Sequence, residues 1–300
     1  MTRYRRKFHR IARKLTNLEL QQGAPDNTLT IEGVLNDLEQ SRGSDYFLGS
    51  YSKDGIMLAL EKFSIRKELH QRGFHDLSLN TDTSDPYRQL LRLYFEQQDP
   101  EHLLGELVLH KATFTKKGDE LLPEQFYPLT VLHVEWLVLQ DPTSDFSGER
   151  PRLPGQDHPG LGVGAQVLEM LYLTAKHQRT DGLLIVPHYY HTARIFSEEF
   201  RFINPEYQAL LHCLIRDLDE YPLPIQAWAV ECGAVRYESD NSQFHWQPEE
   251  QLLPCRRPLK EYLKSDYYLE SVAKAKSNYS FLLDTQHLQY RIPDDVRLEV

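Results

Sequence analysis

Three hundred residues, 40% of them apolar and 11% aromatic, suffice for a packed core and exclude a disordered or fibrous chain. A net charge of −10 argues against general nucleic-acid binding, and no run of eighteen apolar residues offers a membrane span. Cys213, Cys232 and Cys255 are too few and too scattered for a disulfide framework or a zinc motif, and no apolar run follows the basic N-terminus as a signal peptide requires. The expectation is a cytoplasmic chain with reduced thiols and no metal.

Tyr4, Phe8, Ile11 and Leu15 recur at helical spacing among seven basic residues and no acid in positions 1–14, which predicts a basic amphipathic helix. Such a helix either meets an anionic surface or simply keeps its charges in water. Glycine- and serine-rich loops then flank a short helix over 31–40. A second helical pattern covers 55–72, with Ile56, Leu60, Phe63 and Ile65 among its apolar residues and Gly73 at its end.

The period then shortens to two. Alternation around Leu77 and Leu79, and the runs 89–95, 103–114 and 129–139, predict strands joined by short turns, hence an antiparallel meander. In 129–139 the residues Leu132, Val134, Trp136 and Val138 share one face, and His133 and Glu135 point the other way. A long loop rich in Pro, Gly and Asp follows. Helices are predicted over 163–176, 191–199 and 207–218, and a buried strand over 182–186. Runs 225–230 and 234–237 read as strands, and 259–276 as mostly helix.

His158-Pro159-Gly160-Leu161-Gly162-Val163-Gly164-Ala165 opens the clearest helix of the chain. Unpaired amides at a helix N-terminus, together with the positive end of its macrodipole, attract anions, and glycine lets the backbone come close to a phosphate. No Gly-Lys-Ser/Thr follows, which excludes a P-loop, and Gly-x-Gly-x-Gly differs from the dinucleotide fingerprint Gly-x-Gly-x-x-Gly. A tight loop that needs glycine only for its turns is the plainer reading of the same residues.

The stretch from Gly160 to Leu168 resembles the pyrophosphate loop and following helix of the GNAT (N-acetyltransferase) superfamily, whose pattern is Arg/Gln-Gly-x-Gly-x-Gly/Ala. Asp181-Gly182-Leu183-Leu184-Ile185-Val186 is similar to that family's fifth strand, and His191 to Phe202 to the helix after it. The likeness covers about residues 130–205. It implies an α+β fold, a mixed but mostly antiparallel twisted sheet flanked by helices. An N-terminal extension over 1–45, a GNAT-like domain over 46–220 and a C-terminal extension over 221–300 follow from it.

The resemblance further implies acetyl-CoA or another acyl-CoA as cofactor. Gly160, Leu161, Gly162, Val163, Gly164 and Ala165 would then hold the pyrophosphate, and Leu137, Val138 and Leu139 would pair with the pantetheine arm as an added strand. The reaction implied is direct N-acyl transfer to an amine, a small molecule or a protein; the alternative is a GNAT-fold protein that binds acyl-CoA or a partner without turnover. Glu135 is the candidate base, its pKa expected to be raised by desolvation, or else a solvent-facing strand residue. Pro159 stands where Arg or Gln is usual, and Ser197 where the family carries its catalytic tyrosine. Within His188-Tyr189-Tyr190-His191, Tyr190 is the candidate acid for the leaving thiolate, or else a packing residue. Arg150, Arg152 and Arg194 are candidate partners of the nucleotide phosphate.

Overall fold

A computed structural model describes residues 46–115, 122–293 and 296. The helices expected over 4–15 and 31–40 lie outside these residues. The chain is α+β, with a mostly antiparallel sheet of strand order β1-β2-β3-β4-β5-β8-β6 and a second, two-stranded sheet β7-β9. The strands are β1 (Ser78–Asp82), β2 (Arg88–Tyr94), β3 (Leu103–Phe114), β4 (Leu129–Leu139), β5 (Gly182–Ile185), β6 (Arg201–Phe202), β7 (Val235–Tyr237), β8 (Gln251–Pro254) and β9 (Phe281–Leu283). Two compact units divide the described chain. Unit 1 comprises residues 46–112, 132–142 and 160–178; unit 2 comprises 113–115, 122–131, 143–159, 179–293 and 296.

Unit 1 begins with α1 (Lys53–Lys62) and α2 (Ile65–Gln71). Ser52 caps α1 by accepting from the Gly55 amide at 3.0 Å, and Ile56, Ala59 and Leu60 form its buried stripe. The single helix expected over 55–72 is broken at Ser64, which sits at φ 65°. A non-glycine residue in the left-handed region cannot continue a right-handed helix.

The meander follows as expected. β1 and β2 pair antiparallel with Leu79 opposite Leu93, and β2 and β3 pair with Arg88 opposite His110 and Leu91 opposite Leu107. Because side chains alternate, Arg88 and His110 lie on one face of this sheet and Leu91, Leu93, Leu107 and Leu109 on the other. The final helix of unit 1, α3 (Gly164–His177), is the one opened by the glycines.

Unit 2 holds α4 (Tyr190–Phe196), α5 (Pro205–Asp217), α6 (Leu223–Glu231), α7 (Arg257–Tyr262), α8 (Asp266–Lys276) and α9 (Thr285–Gln289). β8 lies between β5 and β6 and is antiparallel to both, with Leu252 opposite Leu184 and Arg201. Asp181 anchors the start of β5. Its carboxylate accepts from the Thr130 amide at 2.7 Å and meets Arg256 Nη1 at 2.7 Å, and its carbonyl accepts from the amides of Cys255 and Arg256.

Residues 225–230, expected as a strand, are helical in α6. Ile225, Gln226, Ala227, Ala229 and Val230 are all buried, so this helix shows no polar face for a 3.6-residue period to reveal. Pro222 and Pro224 at its start suit the first helical turn, where the missing N–H has no partner to lose.

Candidate functional site

The glycine loop is built on the end of β4. Gln140 and Gly160 form an antiparallel bridge, and the Leu161 amide donates to the Leu139 carbonyl at 3.2 Å. The chain therefore leaves at 140 and returns at 160 to the same place, and from that return residues 160–163 lead into α3. Gly162 has φ 68°, the left-handed region that favours glycine. A side chain there would also collide with Arg72: a Cβ would stand 2.7 Å from its Nη2.

No side chain caps α3; its N-cap residue is Val163. Its first turn consists of Gly164 and Ala165, both exposed, and Gln166, whose side chain is instead turned to Glu68 Oε1 at 2.8 Å. The unsatisfied amides of this helix start and the Arg72 guanidinium are hydrogen-bond donors at the loop, with the Glu68 carboxylate engaged by Gln166 in the same turn. Arg72 is the residue that sequence reading missed. It lies at the end of α2, far from the loop in the chain, and no spacing links the two.

Beside the loop, within unit 1, lies a cavity of about 270 Å³. Its walls are Ile56, Ala59, Leu60 and Phe63 around α1, Leu91, Leu93, Leu107 and Leu109 of the sheet, and Val167, Met170 and Leu171 of α3. Leu161 and Val163 of the loop and Leu137, Val138 and Leu139 of β4 complete it. Of the expected pyrophosphate residues, Leu161 and Val163 line this space and Gly160, Gly162, Gly164 and Ala165 do not; the expected pantetheine residues Leu137, Val138 and Leu139 all do. The Leu139 carbonyl, though, is already engaged by the loop.

Glu135 is an exposed carboxylate clamped by Arg88, whose Nε and Nη2 donate at 2.8 and 2.9 Å. His110 Nδ1 stands 3.6 Å from the same carboxylate, and His110 Nε2 lies 3.2 Å from His133 Nδ1. The pKa expected to rise by desolvation is instead lowered. The hydrogen bond from Arg88 is the largest cause; desolvation acts against it but is outweighed, the carboxylate lying at the surface. Arg88 and His110 share the sheet face opposite Leu91 and Leu107, so Glu135, which touches both, lies on that face too. Trp136, placed with the buried face by alternation, is 50% exposed.

Tyr190 and Ser197 belong to unit 2. Tyr190 is buried, its hydroxyl donates to Gln226 Oε1 at 2.8 Å, and burial raises its pKa far above the ordinary phenol value. Ser197 ends α4, its hydroxyl donating to the Arg194 carbonyl at 2.7 Å. Arg194 Nη2 is 3.9 Å from Asp219, and the Arg152 guanidinium lies 4.4 Å from the centre of the Phe146 ring. Among the described residues, no group of three or more His, Cys, Asp and Glu side chains is placed to hold a metal ion, and no helix is long and apolar enough to cross a membrane.

His191 is buried against the stacked ring of Tyr189, its Nδ1 without a hydrogen-bond partner. Desolvation lowers its pKa to about 4. Between that value and the ordinary 6.5 the unfolded chain binds the proton and the folded chain does not, so stability falls as pH drops through this window. The expected contribution is on the order of 2–3 kcal/mol. His191→Gln should flatten the urea midpoint measured from pH 6.5 to 4; an unchanged slope would contradict the burial.

No protein-family model matches the chain, and no curated protein matches it.

Proposed function

We propose that the chain binds a coenzyme A thioester through unit 1 and transfers its acyl group to an amine. One observation carries the reading: an uncapped helix start, opened by glycines, fastened to the end of β4 and faced by Arg72. Backbone amides and a guanidinium are the groups that hold a diphosphate, and neither depends on the sign of the overall charge. The apolar space beside the loop suits the rest of a thioester. The order fourth strand, glycine loop, helix, fifth strand agrees with the GNAT likeness.

For transfer, the attacking amine must lose a proton. Glu135, held ionised and 3.6 Å from His110, is the candidate base, but it lies on the sheet face opposite Leu91 and Leu107 of the cavity wall, so it could serve only a thioester carbonyl that stays outside the cavity. A second reading, binding without turnover, is favoured by specific contacts: Glu135 is held by Arg88, and the hydroxyls of Tyr190 and Ser197 are spent within the fold.

Calorimetry with CoA and acetyl-CoA, paired with thiol release over a panel of amines, separates the two. Saturable binding with amine-dependent thiol release, reduced at least tenfold by Glu135→Gln, supports transfer. Binding with no release above background leaves the second reading. Absence of binding at millimolar CoA removes both.

A further inference from the structure

We propose that the apolar cavity of unit 1 is an acyl-chain site, so that the thioester preferred by this chain carries a linear acyl group of on the order of ten carbons rather than acetyl. The inference rests on the coenzyme A reading of the glycine loop and goes further, to the length of the acyl group.

Size comes first. An apolar cavity of about 150 Å³ takes one benzene, so about 270 Å³ corresponds to roughly ten carbons. Acetyl, with two carbons, would leave most of that apolar wall uncovered.

The chemistry of the wall comes second. The polar side chains that reach the lining are committed to one another or to groups outside it. The Tyr51 hydroxyl is joined to His177 Nδ1 at 2.5 Å, the Thr174 hydroxyl donates to the Met170 carbonyl at 2.9 Å, and Glu106 meets Arg92 Nε at 2.6 Å. Tyr51 is also desolvated enough to carry its pKa up to about 12. A polar ligand would find little to bind there, whereas a hydrocarbon loses nothing.

Continuity comes third. Leu161 and Val163 belong both to the glycine loop and to the cavity wall, as do Leu137–Leu139 to the end of β4 and to the wall. Pantetheine separates the diphosphate from the acyl group, so the chain reaches this space only if that arm turns back along Leu137–Leu139, which line it.

The test is calorimetric titration of the full chain with CoA and its acetyl, butyryl, octanoyl, decanoyl and palmitoyl thioesters, with sodium decanoate as the uncoupled chain. Affinity is expected to rise by up to about fourfold per methylene, the worth of burying one CH₂, and to level off near ten carbons. Ala59→Phe fills the cavity from α1 and should abolish the rise while leaving the affinity for CoA unchanged; Ala59→Leu should move the plateau to shorter chains. Thermal melting of both variants confirms that they fold. Equal affinity for CoA and every thioester would overturn the acyl-chain site and leave the glycine-loop reading standing. Saturable decanoate binding, lost in Ala59→Phe, with no binding of CoA or any thioester, would overturn the coenzyme A reading and with it the thioester specificity inferred here.

Discussion

Ala165→Glu should weaken coenzyme A binding at least thirtyfold and at the same time make the protein slightly more stable. Ala165 is exposed in the first turn of α3, whose start no side chain caps. A carboxylate in that turn interacts well with the helix dipole and with unsatisfied amides, an effect of about 0.3–1 kcal/mol. The same carboxylate would occupy the place proposed for the diphosphate and repel it. A loss of roughly 2 kcal/mol in binding corresponds to the thirtyfold figure. Ala165→Gln, neutral and of the same length, should retain most of the affinity. The opposite signs make the test informative, since a variant that merely misfolds loses stability as well. Denaturant midpoints and titration with CoA, in the same buffer, read both. Unchanged affinity in Ala165→Glu would mean that the loop turns the chain and holds no anion.

Phe202→Ala should cost unit 2 about 3–5 kcal/mol, a large part of what a domain of this size possesses. Phe202 is fully buried, its amide donates to Gln208 Oε1 at 2.9 Å and its carbonyl accepts from the Tyr268 hydroxyl at 2.6 Å. Its ring lies among those of Tyr207 and Trp246, within the cluster that includes Leu211, Leu214 and Phe281. Truncation removes the transfer energy of a benzyl group and leaves a void that backbone atoms tied on both sides cannot close. Trp246, 6.2 Å from the ring, reports the transition by fluorescence. A midpoint shift worth under about 1 kcal/mol would show that the site relaxes freely. Phe202→Leu, which keeps most of the volume, should lose much less.

Elements with a clean period were legible in the sequence. The runs 103–114 and 129–139 are strands with those bounds, and the helix expected over 163–176 is α3 within one residue. Two of the misread elements are buried all round or very short, whereas the break at Ser64 in the helix expected over 55–72 leaves no mark on the apolar period. α6 has no polar face and was taken for a strand, and β8, four buried residues ending in Pro254, offers too little chain for any period. Yet β8 is the strand to which both β5 and β6 pair.

The candidate site divides along the same line. Glycines at a helix start are a local signal and can be read from one stretch of chain. The Arg72 contact with Gly162, the Arg88 clamp on Glu135 and the cavity of unit 1 are products of packing between distant segments. Glu135 shows why residue type alone misleads about basicity. Its surroundings were expected to desolvate it, and an arginine two strands away on the same sheet face holds it ionised instead.

The suture between Gln140 and Gly160 has an evolutionary corollary. Two ends pinned side by side make the span between them independent of the junction they close. The span is then held by contacts of its own: the Arg152 carbonyl accepts from Trp228 Nε1 at 2.9 Å, and a Cβ on Gly155 would stand 2.5 Å from the Tyr189 hydroxyl. Room to change length without touching either the stitch or these contacts is left at the exposed turn 147–149, where a Cβ on Gly148 would meet nothing within 4 Å.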